Sequence, residues 1–231
     1  MGGRYWVWLA ARLAIGIAII AWALSYVGSG NGEKEFRTTI DAMRNVQSFR
    51  VTMTAGQDQA QHQDLLWEVD CNRDILHFKR HLVDPSTDPA VDFQQDYLLK
   101  AGTEYERQQD GSWAQPRTYS ATESAKAYCN ALKQGVDSHV LPQIYTMLDR
   151  GVLQKGSKKT VNGVRCREWQ VTLRGGTARF EHDTVCIGIE DHLPYEMTTD
   201  WDHSHALYSD YNSAIAFDAP EAEVQPAGAT N

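Results

Sequence analysis

The sequence predicts an α+β protein in which antiparallel strands dominate, and three observations carry that expectation. Runs of alternating apolar and polar residues recur from Phe49 onward, the period of a strand with one buried face. Asn162-Gly163 joins two of these runs, Val152 to Val161 and Val164 to Leu173, and Asn-Gly in that setting is the strongest short-range hairpin signal. Helical spacing is confined to three short stretches, Glu33 to Gln47, Thr122 to Gly135 and Pro142 to Leu148.

The chain of 231 residues opens with Arg4 and Arg12 and then fifteen residues without a charge, Leu13 to Val27. That length is the upper end of a signal-peptide core and short of the ~20 residues of a spanning helix. Residues 1–32 therefore read either as a signal peptide, cut after Ala21-Trp22-Ala23 or Val27-Gly28-Ser29, or as an N-terminal membrane anchor with its linker. On both readings the positive charges stay inside. The body is then periplasmic or otherwise extracytoplasmic, membrane-anchored or secreted. Residues 33–220 suit a single domain, and 221–231, rich in Ala, Pro, Gly and Glu, a disordered tail. With 30 acidic against 22 basic residues, nucleic acid and anionic membrane surfaces are disfavoured as partners.

In order along the chain, Phe36, Ile40, Met43 and Val46 make the apolar stripe of a first helix that Ser48 ends. Phe49, Val51, Met53 and Ala55 alternate with Arg50, Thr52 and Thr54 as the first strand, and Gly56 to Gln63 is a polar loop. Leu65, Trp67, Val69 and Cys71 share one face of the next strand. Leu76, Phe78 and Leu82 share one face of a third, whose other face carries His77, Lys79 and His81. Asp84 to Pro89 is a loop. Tyr97, Leu99 and Tyr105 belong to a strand pair, and Asp110-Gly111 before Trp113 is a second hairpin signal. Ala125, Cys129, Leu132 and Val136 mark a helix begun by Thr122 and Glu123 and ended by Gly135. The meander continues after Gly175-Gly176 with Arg179 to Ile189, after Leu193-Pro194 with Tyr195 to Trp201, and closes with Leu207 to Phe217.

Alternation gives the meander an apolar face of Trp169, Val171, Leu173, Val185, Ile187, Ile189, Tyr195, Met197 and Trp201. Cys166 and Cys186 fall on the opposite face, and folding about Gly175-Gly176 brings them to one rung within a couple of residues. Cys71 and Cys129 lie on the apolar faces of their strand and helix, so a bond between them would clamp that helix onto the inner face of the sheet. Of the three connectivities open to four cysteines, Cys71–Cys129 with Cys166–Cys186 is predicted. The wide spacing lacks the close pairs of a zinc site, and an exported chain meets an oxidising compartment.

Asp200, Asp202, His203 and His205 form a cluster of metal-type ligands. It has no second half-site and reads as a solvated turn, so no metal is expected. Nucleophile-elbow, phosphate-loop, H-E-x-x-H and C-x-x-C motifs are absent; no enzyme activity and no cofactor are expected. By periodicity alone the inward aromatics are those of any β-protein core.

Taken together, several features resemble the periplasmic lipoprotein-carrier superfamily, the LolA, LolB and LppX/LprG-like proteins. They are the Asn45 to Arg50 step from helix into first strand, the Val161-Asn162-Gly163 hairpin, Leu193-Pro194-Tyr195, Tyr211-Asn212 and the closing Ala219-Pro220. The resemblance implies an incomplete antiparallel β-barrel, a curved sheet with helices packed on its concave face. It further implies a cavity for acyl chains walled by Trp67, Phe78, Trp169, Ile187 and Met197, with the Ala125 to Leu132 helix as lid. The chain departs from the carriers in its two expected disulfides and, unlike LppX and LprG, in lacking a lipidation cysteine. The expected function is a non-enzymatic envelope protein that binds a lipid or acyl chain. A regulatory or assembly domain of the same fold, with an envelope protein as partner, is the second reading, and a metal-dependent hydrolase the third. An uncut leader would add the inner membrane.

Overall fold

The computed structural model describes residues 32–56, 62–108, 110–114, 117–118, 124–134, 143–174, 180–200 and 203–217. The leader, the tail, Gly175-Gly176, Thr122, Glu123, Gly135, Val136, Trp201 and Asp202 lie outside them. The strand pairings are antiparallel, the sheet is curved and unclosed, and three helices accompany it among the described residues, so the chain is α+β as expected. The described residues form two compact units, one within Met1–Asn45 and Ala131–Tyr208, the other within Val46–Asn130 and Ser209–Asn231.

In the second, amino-side unit, strands β1 (Ser48–Ala55), β2 (His62–Asp70), β3 (Ile75–Asp84), β4 (Val91–Lys100), β5 (Thr103–Glu106) and β6 (Arg117–Thr118) are neighbours in chain order. One rung runs Val51, Trp67, Phe78, Tyr97 across β1 to β4. An Arg107–Trp113 bridge closes the hairpin foreseen at Asp110-Gly111, where Gly111 takes φ +82°. Helix α2 (Ala125–Gln134) begins with Ala127 N–H donating to Ser124 Oγ at 3.2 Å. Its Cys129 bonds Cys71 with Cα atoms 6.0 Å apart, as predicted.

The last strand is shorter than Leu207 to Phe217: β11 (His205–Ser209) stops at Ser209. Asp210 and Asn212 turn into left-handed backbone at φ +56° and +55°. Asn212 Oδ1 accepts the Gln47 N–H at 2.7 Å, and Ser213 O accepts the Ser48 hydroxyl at 2.7 Å. Long-range side-chain bonds to the backbone around Gln47 and Ser48 replace the ladder there.

The other unit contains the meander, in the order β7 (Gly151–Val161), β8 (Val164–Arg174), β9 (Phe180–Gly188), β10 (Pro194–Thr199) and β11. At the β7–β8 turn Asn162 and Gly163 have φ +49° and +81°, the left-handed pair that a type I′ hairpin requires. The β8–β9 register is two residues off the expectation: Cys166 faces Gly188 and Cys186 faces Glu168. The cysteines still share a face, and the predicted bond joins them diagonally with Cα atoms 5.5 Å apart. Ile189 falls in the turn after β9, and β10 ends at Thr199.

Helix α1, residues 32–43, ends earlier than Gln47 because Asn45 Nδ2 donates to Asp41 O at 3.0 Å and turns the chain. It buries Phe36, Ile40 and Met43; Phe36 meets Trp169 edge-on with centroids 6.0 Å apart. A Cβ at Gly32 would stand 2.9 Å from Leu153 Cβ, so only glycine lets the helix start this close to β7. Helix α3 (Ile144–Arg150) buries Ile144 and Met147 against the same strands.

Candidate functional site

The five expected ligand residues fall into two groups, one per unit. Trp169, Ile187 and Met197 share a face of β8, β9 and β10; Trp169 and Ile187 are buried, Met197 half-buried. In the amino-side unit Trp67 and Phe78 pair directly with centroids 5.3 Å apart, and Phe78 stacks on Tyr97 at 6.3 Å. All three of these rings are half-buried, like Met197. The outer-face residues His77 and His81 prove to be very different from one another.

His77 is buried, and its Nδ1 and Nε2 lie 2.7 Å from Glu68 Oε2 and Asp96 Oδ1. The ring thus bridges a carboxylate of β2 and one of β4 across its own strand. Arg50 joins Glu68 to Asp210, and Lys79 and Arg107 flank Asp96 at 3.5 and 4.0 Å. Burial raises the Glu68 carboxyl, but hydrogen bonds from His77 and Arg50 outweigh it and hold it below the ordinary value. The same balance, with Lys159 and His205 as donors, lowers Glu196 in the meander unit. Lys159, opposed by burial but bonded to Glu196 and Glu168, is raised. Both networks act as clamps across strands.

Of the ligand-type run at the end of the meander, His205 Nε2 bonds Glu196 Oε1 at 2.9 Å, Asp200 and His203 are exposed, and Asp202 lies outside the described residues. The ligand atoms of His62, Asp64 and His81 do lie within 4.8 Å of one another. Their grouping needs the β2–β3 register, which sets Asp64 opposite His81, and was not legible from spacing.

One cleft stands out in the meander unit. It has a volume of about 550 Å³ and is walled by Lys34, Glu35 and Thr38 of α1, Lys155 and Lys158 of β7, Arg167 and Trp169 of β8, with Ile189 and His192. Sequence reasoning missed it for a specific reason. Lys155 and Lys158, an odd number of residues apart, would point to opposite faces of a regular strand. A bulge between them pairs Lys155 with Trp169 and Lys158 with Arg167, putting both on one face.

No protein-family model matches the chain, and no curated protein matches it in sequence. Among solved structures it superposes on LprF from Mycobacterium bovis with a TM-score of 0.59 at 10% identity, covering 84% of this chain and 98% of LprF. The chain has the fold of LprF. As LprF is of the LppX/LprG group, the structure agrees with the resemblance read from sequence at the level of fold. A Pseudomonas aeruginosa MucA/MucB complex aligns at 12% identity and a TM-score of 0.42, over 81% of this chain and 59% of that one. A LolA superfamily protein from Nitrosomonas europaea aligns at 9% and 0.27, over 80% and 94%. Of these three, LprF alone superposes well enough to speak to fold.

Proposed function

We propose that this is an exported envelope protein that binds a lipid or acylated ligand without transforming it, the acyl chain lying against the Trp67, Phe78 and Tyr97 rung. The observation that carries the reading is that rung. Phe78 stacks on Tyr97 and meets Trp67 at a tilt across adjacent strands, and all three rings keep part of their surface open, the kind of apolar wall that small-molecule sites use. The likeness to LprF supports the fold that the reading needs. Two disulfides suit a chain that matures in an oxidising compartment, and among the described residues no helix is long and apolar enough to cross a membrane.

The test is native mass spectrometry of the full-length protein isolated from its host, with extraction of co-purifying lipid, followed by uptake of a fluorescent fatty acid by the delipidated chain. A stoichiometric acyl ligand, and uptake weakened in Trp67→Ala and Phe78→Ala with circular dichroism unchanged, is the expected result. No lipid and no uptake would move the reading to a partner-binding envelope domain.

A further inference from the structure

We propose that the cleft formed by α1, β7 and β8 binds the phosphate of a phosphate-bearing ligand. It rests on the lipid-binding reading only for what that phosphate is attached to. The walls carry four cations, Lys34, Lys155, Lys158 and Arg167, and among the described residues no carboxylate pairs with any of them. That is unexpected where 30 acids outnumber 22 bases; Lys159, the neighbour of Lys158 on the other face, holds Glu168 at 3.0 Å and Glu196 as well. The carboxylate among the cleft walls, Glu35, is already engaged by His192 at 2.8 Å.

A second observation is independent of charge. Trp169, 2% exposed, lines the cleft, and its Nε1–H is buried with no acceptor among the described residues. A buried N–H without a partner is rare in folded proteins, and an anion in the cleft would supply the acceptor. Arg167 is already oriented, its Nη1 donating to Gly156 O at 3.0 Å across the bulge. A guanidinium fork, point-charge ammonium groups and an indole donor are the set that recognises phosphate oxygens. Lys34 follows Val27 by seven residues, so an uncut leader would hold the cleft within ~25 Å of the membrane surface, where phosphate headgroups are.

The experiment follows the Trp169 indole N–H by NMR in the full-length chain, kept in a neutral phosphate-free detergent. Inorganic phosphate and soluble dihexanoyl phosphatidylglycerol are the probes, and loss of the signal in Trp169→Phe assigns it. Both probes should shift the signal. Lys155→Ala with Lys158→Ala, two exposed residues, and Arg167→Lys should each weaken binding roughly tenfold or more. Tighter binding of the phospholipid assigns the site to a headgroup; equal or tighter binding of inorganic phosphate assigns it to the free ion. An unmoved indole signal with both probes, or wild-type affinity in the lysine variant, overturns the proposal. Uptake of an uncharged acyl alcohol, which needs no phosphate site, reports separately on the lipid-binding reading.

Discussion

Each unit places a tryptophan at the centre of a strand rung, and the two rungs meet opposite fates. Trp169 is sealed: Phe36 of α1 stands edge-on to it, and Gly32 brings the start of that helix against β7. Trp67 is only half-buried, tilted against Phe78, which stacks on the half-buried Tyr97. The residue type and strand period are the same in both, so what separates the two rungs is the cover that a helix supplies to one of them.

Substitution should separate the two most sharply. Trp169→Ala opens a cavity in a packed core and should cost about 3–5 kcal/mol in urea unfolding, whereas Trp67→Ala should cost about 1 kcal/mol and be felt in acyl uptake. Equal costs would mean that the rungs are not different in kind. The disulfides sharpen the same contrast. Replacing Cys71 and Cys129 by alanine should cost ~2–5 kcal/mol. That should be about 1 kcal/mol more than replacing Cys166 and Cys186, because the bonds span 58 and 20 residues and the longer loop is the costlier one to leave open.

Smaller effects should come from the clamps. Glu68→Gln keeps the shape but removes the charge that faces His77 and Arg50, and a loss of about 2 kcal/mol is expected. Glu68, Asp70 and Glu196 are all lower in the folded chain than in the unfolded one. Their contribution is complete above the ordinary carboxyl values of 3.8 and 4.5 and is lost as pH falls through the depressed folded ones. Unfolding midpoints should therefore fall on acidification in both units, and Glu68→Gln should flatten that fall in the amino-side unit alone. Lys159 has the opposite sign: its raised value contributes at neutral pH and is lost above the folded value, so Lys159→Met should flatten the alkaline limb of the meander unit. Tryptophan fluorescence in single-tryptophan backgrounds at Trp67 and Trp169 reads the two units apart.

The local elements were legible because the signals that make them are local. Asn162-Gly163 adopts the two left-handed residues that its turn demands, alternation assigned Trp67, Phe78 and Trp169 to the correct faces, and face with approximate register paired the four cysteines. Where two local tendencies competed, the expectation slipped: Asn45 shortened α1, and Asp210 and Asn212 ended β11 early. The charged sites lay beyond the sequence. Net charge of −8 argues against an anionic partner, yet a β7 bulge turns Lys155 and Lys158 to one side beside Arg167 and an unpartnered indole. His77 and His81 share a strand face, but only strand register gave one of them two buried carboxylates and left the other among His62, Asp64 and Asp92. Composition sums charges over the whole chain and periodicity assigns a face to each residue. Neither knows which strand lies opposite, and electrostatics acts over a few ångströms of that distance.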